Sequence, residues 1–184
     1  MLLWQLREAH APGVANFGLP ITGTMARSLL RGEPPPTALK ASLNESGRFA
    51  DLVGLGWPGL YAASPRFALA IQHLSGTRLI PVQLDEGPSG YALLGATGRC
   101  GVVDYGRSEV IRRLGTFVRL RGLHVTSPSD EVDFAVPADR ECILLSGYAG
   151  ELLKAEALDN VRLVLMEELE FDVGEDAISV KPPE

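Results

Sequence analysis

The spacing of apolar residues predicts a strand, a helix and a second strand in the middle of the chain. Leu60–Ala63 is a short apolar run typical of a strand. Ser64 and Pro65 suit the N-cap and the first position of a helix, and Gly76 suits its end. Thr77–Leu84 then predicts an extended strand, in which a proline indicates a sheet edge or a bulge. The apolar face of this predicted helix consists of Phe67, Ala70, Ile71 and Leu74.

A second stretch has the same order of elements. Glu141–Leu145 predicts a strand, Tyr148–Leu158 a helix and Val161–Leu165 another strand. The inward residues of this helix are expected to be Leu152, Leu153 and Ala157. The two stretches share element order but little sequence, so we do not interpret them as a repeat.

Shorter elements complete the prediction. Further strands are predicted at Met1–Leu6, Gly90–Leu94, Gly101–Asp104, Phe117–Arg121 and Glu131–Val136. Short helices are predicted at Thr24–Gly32, with Thr24 as N-cap, and at Ser108–Leu114, where Val110, Ile111 and Leu114 pack and Gly115 ends the helix. The proline-rich run from Gly32 to Thr37 is a connector.

Many short extended runs and few helices predict an α+β fold: a mixed, largely antiparallel sheet with a few short helices in one compact domain. We expect residues 1–50 to form an N-terminal lobe with a short strand and helix, residues 51–171 the core, and residues 172–184 an acidic, frayed tail.

Composition narrows the function classes. Of 184 residues, 46% are hydrophobic, which is enough for a packed core. The formal net charge of −6 argues against a nucleic-acid binder, which needs basic residues to neutralise phosphates. Arg7 and Glu8 interrupt the apolar start, and no run is long enough to span a membrane, so we expect a cytoplasmic protein.

Catalytic and metal-binding patterns are weak. Cys100, Asp104 and His124 offer a nucleophile, an orienting acid and a base, but no local nucleophile signature accompanies them. A buried thiol, a capping carboxylate and a strand histidine explain them better. The two cysteines, Cys100 and Cys142, cannot form a disulfide framework. His10, His73 and His124 lack metal-ligand spacing. We therefore expect no catalytic residues, no metal and no cofactor.

The densest charge lies near the end of the sequence. Leu169 and Phe171 alternate with acidic residues there, which predicts a strand with one packed face and one solvated face. The carboxylates of that face also predict a negative patch able to attract a basic partner. The acidic residues are Glu167, Glu168, Glu170, Asp172, Glu175 and Asp176. Trp57, beside Pro58, is expected to pack under a loop, or, if exposed, to anchor an interface.

Three segments together resemble a bacterial immunity-protein family of polymorphic toxin systems, formerly a domain of unknown function. They are LYAASPRFALAIQHLSGTRLIPVQL (Leu60–Leu84), GYALLGATGRCGVVDYGRSEV (Gly90–Val110, with Asp104 and Ser108) and ILLSGYAGELLKAEALDNVRLVLMEE (Ile143–Glu168). The resemblance spans roughly residues 51–171. It differs at Asp159-Asn160, where the family usually has a glycine turn, and in the first fifty residues.

The resemblance implies a protein that binds a cognate toxin domain and occludes its active site, with no catalysis of its own. Trp57, Glu168, Glu170, Asp172 and Glu175 are then the predicted partner-binding residues, and the toxin is expected to present a basic surface. Two alternatives stay open: a small cysteine- and histidine-dependent enzyme, and a regulatory module that binds a ligand between the two strand–helix–strand units.

Overall fold

A computed structural model describes residues 1–127, 131–175 and Ile178. Within these residues there are fourteen strands and three helices. The strands are β1 (Leu2–Glu8), β2 (Asn16–Gly18), β3 (Leu39–Glu45), β4 (Leu52–Gly54), β5 (Tyr61–Ala63), β6 (Thr77–Leu84), β7 (Ala92–Ala96), β8 (Gly98–Cys100), β9 (Glu109–Leu114), β10 (Phe117–Arg121), β11 (Phe134–Pro137), β12 (Ile143–Ser146), β13 (Val161–Leu165) and β14 (Glu170–Gly174). The helices are α1 (Gly23–Leu30), α2 (Pro65–Ile71) and α3 (Gly147–Ala155).

The described strands form three sheets. A six-stranded sheet has the order β2-β3-β6-β7-β5-β4, a five-stranded sheet the order β13-β1-β12-β11-β8, and a three-stranded sheet the order β14-β10-β9. All pairs are antiparallel except β3 with β6 and β8 with β11. The predicted α+β class is therefore confirmed. Residues 1–50 contribute strands to both larger sheets.

The apolar residues form two cores. The larger one lies around the six-stranded sheet and helices α1–α3, with Phe17, Phe67 and Phe134 fully buried. The smaller one lies between the three-stranded and five-stranded sheets, where Val118 and Phe171 meet Leu144. Because Leu144 belongs to the smaller core and Leu145 to the larger one, β12 is covered on both faces.

Capping residues place the starts of the helices close to their predicted positions, but α2 ends at Ile71 and α3 at Ala155, before the predicted ends at Gly76 and Leu158. Ser64 and Ser146 cap α2 and α3, accepting hydrogen bonds from the backbone N–H groups of Phe67 and Ala149 at 3.1 Å each. The first helix is capped by Thr22, whose side chain accepts from the Met25 N–H, and not by Thr24 as predicted. The polypeptide therefore enters this helix two residues earlier than the sequence pattern indicated.

Three smaller predictions are wrong in part. Residues Gly101–Asp104 do not form a strand, since Val103 makes only an isolated bridge with Val125. The strand predicted at Glu131–Val136 begins at Phe134, and all four of its residues are buried. Ala157 follows α3 with a positive φ of 48° and is exposed, so it does not face inward. The alternation of apolar and polar residues at Glu131–Val136 therefore does not mark a half-buried strand, because an inner strand is covered on both sides.

The predicted helix at Ser108–Leu114 is also wrong, because residues 109–114 form strand β9. It pairs with β10 through a two-residue turn at Gly115-Thr116, where Gly115 has a φ of 64°. The apolar residues expected to pack are on the surface: Val110 is 46% exposed and Ile111 39%. Their spacing fits a helix as well as a bulged strand, and only pairing with β10 decides between them.

The two strand–helix–strand units are structural repeats, which corrects the expectation that they share only element order. Leu52 lies opposite Ala63 in the β4–β5 ladder. Phe134 lies opposite Leu145 in the β11–β12 ladder. Phe134 lies 82 positions after Leu52, and Leu145 lies 82 positions after Ala63. The two hairpins therefore have the same register.

The strand that completes each unit also matches. In the first unit β7 lies between β5 and β6, and its Leu94 faces both Tyr61 and Leu79. In the second unit β1 lies between β12 and β13, and its Leu6 faces both Ile143 and Leu163. All four of these ladders are antiparallel.

The two halves of the chain have therefore exchanged their first strands. The first half runs from β1 to β6 and the second from β7 to β13. Strand β1 is a central strand in the sheet of the second half, and β7 is a central strand in the sheet of the first half. This is the strand exchange of a domain-swapped dimer, carried out within one polypeptide.

Two carboxylates occupy equivalent positions in the halves. Ser64 Oγ donates to Asp51 Oδ1 at 2.6 Å, and Ser146 Oγ donates to Asp133 Oδ1 at 2.7 Å. The same two serines donate their backbone N–H groups to the Asp51 and Asp133 carbonyls, both at 2.9 Å. Each aspartate thus fixes the start of the helix in its own half.

The same carboxylates also connect the halves. The Asp159 N–H, beyond α3, donates to Asp51 Oδ2 at 2.9 Å. The Ser75 N–H, beyond α2, donates to Asp133 Oδ2 at 3.0 Å. These reciprocal contacts are those expected around a two-fold axis. We call the two places the Asp51 site and the Asp133 site.

Candidate partner-binding surface

The three-stranded sheet presents one face to the solvent, and its side chains stand in rows across the strands. Asp172, Arg119 and Arg112 form one row, since Arg119 is opposite both others. A second row comprises Glu170, Arg121 and Glu109. The other face is buried in the smaller core. This outward face of β9, β10 and β14, which we call the ladder face, contains two of the predicted partner-binding residues, Glu170 and Asp172.

The acidic residues of the ladder face are paired with arginines. Arg119 donates from Nε and Nη2 to the two carboxylate oxygens of Asp172, both at 2.8 Å. Hydrogen bonds from Arg119, together with its charge, hold the pKa of Asp172 below its ordinary value. Arg121 lies 2.9 Å from Glu170 and 3.6 Å from Glu109. The face is therefore an ordered network of opposite charges.

This pairing offsets much of the negative charge expected of the carboxylate row. Glu170 and Asp172 do alternate with buried residues, as predicted. Glu175 follows the strand and pairs with Arg113 at 2.8 Å. Glu168 belongs to a short turn at Met166–Glu168 and not to the strand. Asp176 and the predicted frayed end, Lys181–Glu184, lie outside the described residues.

One arginine of the ladder face has no carboxylate beside it. Arg112 is exposed, stands opposite Arg119 and forms no ion pair in the part of the chain that is described. Arg119 already shares its charge with Asp172 on its other side. A negative group brought to the outer edge of β9 would complete this row.

The hairpin of β9 and β10 also concentrates exposed apolar side chains. Ten large apolar residues are exposed among the described positions, and four of them belong to this hairpin. Phe117 is 56% exposed and stands opposite Leu114 at the end of the ladder face. The four are Val110, Ile111, Leu114 and Phe117. Apolar groups bordered by ordered charges are typical of protein-binding surfaces.

Trp57 lies away from this face and packs within the fold. Its ring is partly buried against the larger core, and Nε1 donates to the Leu19 carbonyl at 3.1 Å. That bond joins the loop before β5 to the segment before α1. The structure thus places Trp57 apart from the predicted carboxylates and gives it a structural contact.

Cys100 and His124 do not converge on a common cavity. Burial raises the pKa of Cys100 to about 11, which leaves its thiol protonated at neutral pH. His124 lines a cavity of about 260 Å³ whose described walls do not include Cys100. Asp104 caps a turn by accepting from the Gly106 N–H at 3.2 Å. The arrangement does not supply an activated thiolate.

Two further properties bear on the site. Among the described residues, no group of three or more His, Cys, Asp or Glu side chains is placed to hold a metal ion. None of the described helices is both long enough and apolar enough to cross a membrane.

Comparison with models of known protein families finds none that matches this chain, and comparison with curated protein sequences finds no match. The proposed function therefore depends on the residues of the surface and on the resemblance noted in the sequence.

Proposed function

We propose that this chain is an immunity protein that binds a bacterial toxin domain and neutralises it by covering its active site. The observation that carries the proposal is the ladder face, where the exposed side chains of Phe117 and Leu114 lie beside rows of fixed charges. Inhibition by occlusion requires only a rigid, complementary surface. The resemblance to immunity proteins of polymorphic toxin systems supports the same conclusion.

We expect the partner to contact the exposed pair Phe117 and Leu114 and also the charged side chains around that pair. Phe117 and Leu114 would supply apolar contact area, because aromatic groups often dominate interface energies. A partner with basic groups would find Glu167 and Glu168, which are exposed and form no ion pair in the described chain. A partner carboxylate would face Arg112. The paired carboxylates, Glu170 and Asp172, would fix the orientation of the complex.

The proposal places the encounter in the cytoplasm, where a toxin delivered into the cell would act. Both cysteines are buried and free, in keeping with a reducing compartment.

The test is co-expression with candidate toxin domains, taken first from the genes that neighbour this one. We expect the wild-type chain to restore growth and to co-purify with one of these domains in a complex that weakens as salt is raised. The double variant Leu114→Ser/Phe117→Ser should bind at least tenfold more weakly. Its thermal unfolding should change little, because both side chains are on the surface.

A matched control is Leu69→Ser on α2. Leu69 is 65% exposed but lies outside the ladder face, so this variant should bind as the wild type does. Equal loss of binding in both variants would contradict the assigned surface. Failure of the wild-type chain to protect against the toxin would contradict the function itself.

A further inference from the structure

The two equivalent carboxylate sites differ in one contact. At the Asp51 site, Arg66 Nη1 lies 3.2 Å from Asp51 Oδ2, and Arg66 Nη2 donates to the Glu156 carbonyl at 2.6 Å. Arg66 is the second residue of α2, a position where a positive charge opposes the helix dipole. The Asp51 carboxylate offsets this unfavourable charge. In the first half of the chain, the Asp51 site is therefore occupied by the guanidinium of Arg66.

At the Asp133 site no guanidinium is present among the residues that the structure describes. The position equivalent to Arg66 is Tyr148, 82 residues later and second in α3, and its side chain is 64% exposed. Asp133 Oδ2 accepts instead from Ser75 Oγ at 2.9 Å. Among the described residues Asp133 forms no ion pair, and its carboxylate oxygens accept hydrogen bonds from the hydroxyl and N–H groups of Ser75 and from the hydroxyl of Ser146.

A cavity opens where the guanidinium is missing. It has a volume of about 400 Å³, and Asp133 and Ser146 line it. Glu131 adds a second carboxylate, Met1 also lines the cavity, and Leu3 and Tyr148 supply exposed apolar and aromatic walls. An aromatic face beside a carboxylate is the combination that favours an organic cation over a metal ion.

We propose that the Asp133 site binds the guanidinium group of an arginine presented by another polypeptide. The Asp51 site supplies the precedent, since an aspartate held by the equivalent serine and crossing N–H group binds Arg66 there. The cavity is wide and bordered by exposed apolar residues, which suits a side chain carried on a protein surface. A free metabolite is usually bound in a more enclosed pocket with several converging polar groups.

The test uses the full chain and a small probe, Nα-acetyl-arginine methylamide, titrated by NMR. We expect saturable shifts at the amides of Ser75 and Ser146, and binding at least tenfold weaker for the neutral citrulline analogue. Tyr148→Arg should place a guanidinium in the cavity as Arg66 does at the Asp51 site. It should weaken probe binding at least tenfold and raise the unfolding midpoint by about 1–3 °C.

Leu69→Ser on α2 is the matched control and should bind the probe within twofold of wild type, because Leu69 is exposed and does not line the cavity. Equal binding of the arginine and citrulline probes would overturn the inference, as would undiminished binding by Tyr148→Arg. Free arginine binding tenfold more tightly than the capped probe would indicate a metabolite site and also overturn it. The experiment contains no toxin, so its outcome is independent of the proposed immunity function.

Discussion

The carboxylates of this protein show how neighbouring groups decide what one residue type does. At Asp133, burial alone would raise the pKa of the carboxyl group, but hydrogen bonds from Ser146 and Ser75 outweigh it and hold the pKa below its ordinary value of 3.8. Asp172 reaches a lowered pKa differently, through Arg119 on an exposed face. The first carboxylate organises the fold, and the second organises a surface.

Removing the Ser146 hydroxyl should destabilise the fold in a pH-dependent way. Ser146→Ala loses both the helix cap and a donor to Asp133, at a cost of about 1–3 kcal/mol in the free energy of unfolding near pH 7. A lowered pKa stabilises the folded state above the ordinary value, and this benefit disappears as pH falls through the folded-state pKa. The difference from wild type should therefore shrink below about pH 4 in urea unfolding experiments.

Thr22→Ala provides the comparison for that measurement. Thr22 caps α1 without bonding a carboxylate in the described structure, so its cost of about 1 kcal/mol should not follow the titration of Asp133. Parallel pH profiles for the two variants would contradict the role given to the Ser146–Asp133 bond.

The cysteines should be unreactive while the protein is folded. Burial raises the pKa of Cys100 to about 11 and that of Cys142 to about 12. At pH 8 only about one Cys100 side chain in a thousand would be a thiolate. Alkylation by iodoacetamide, followed by mass spectrometry, should be slow in buffer and fast in denaturant. Rapid labelling of Cys100 in the folded chain would revive the alternative of a cysteine-dependent enzyme.

Among the elements, those specified by local chemistry were predictable from the sequence. A serine cap and a first-turn proline locate the start of α2 because these effects act within a few residues, whereas the predicted end at Gly76 is wrong, since α2 ends at Ile71. The β9 hairpin was missed because its apolar spacing fits a helix too, and pairing with β10 is a tertiary effect. Likewise, the alternation at Glu170–Gly174 predicts the strand but not the arginines opposite it, because register cannot be derived from one strand.

Two glycines with positive φ angles allow the cost of backbone strain to be compared with the cost of steric overlap. Gly115 and Gly76 have φ angles of 64° and 77°. A Cβ at Gly115 would meet nothing within 4 Å, whereas one at Gly76 would overlap the Phe134 carbonyl oxygen. Gly115→Ala should thus cost about 1 kcal/mol and Gly76→Ala at least twice as much, measured by urea unfolding. Similar costs at the two positions would contradict the close approach of the halves at Gly76.

For the molecule as a whole, the exchange of β1 and β7 is the property that the sequence pattern could not provide. The equivalent strands have different side chains, and they are recognisable as equivalent only by the partners they pair with. Asn160 illustrates the difficulty, since it adopts a φ of 59° in the turn after α3 where Gly76 serves after α2. Different residues meet the same geometric need, so the repeat is preserved in register and hydrogen bonding.

The exchange predicts that neither half folds alone. A chain of residues 1–87 lacks β7, and a chain of residues 88–184 lacks β1, so each loses the strand between two others. We expect each fragment to show no cooperative unfolding transition by circular dichroism. Mixing them in equal amounts should restore the native spectrum. A cooperative transition in either fragment by itself would contradict this prediction.

The pairing of β1 also sets an order for events on the ribosome. The first half can close its sheet once β7 has emerged, but β1 must wait for β12 and β13, whose residues are made more than a hundred codons later. Until then Leu2 and Leu6, which are buried in the finished protein, stay exposed to solvent. In a stalled or truncated product this apolar segment would stay exposed, and cellular proteases would recognise it as a sign of incomplete synthesis.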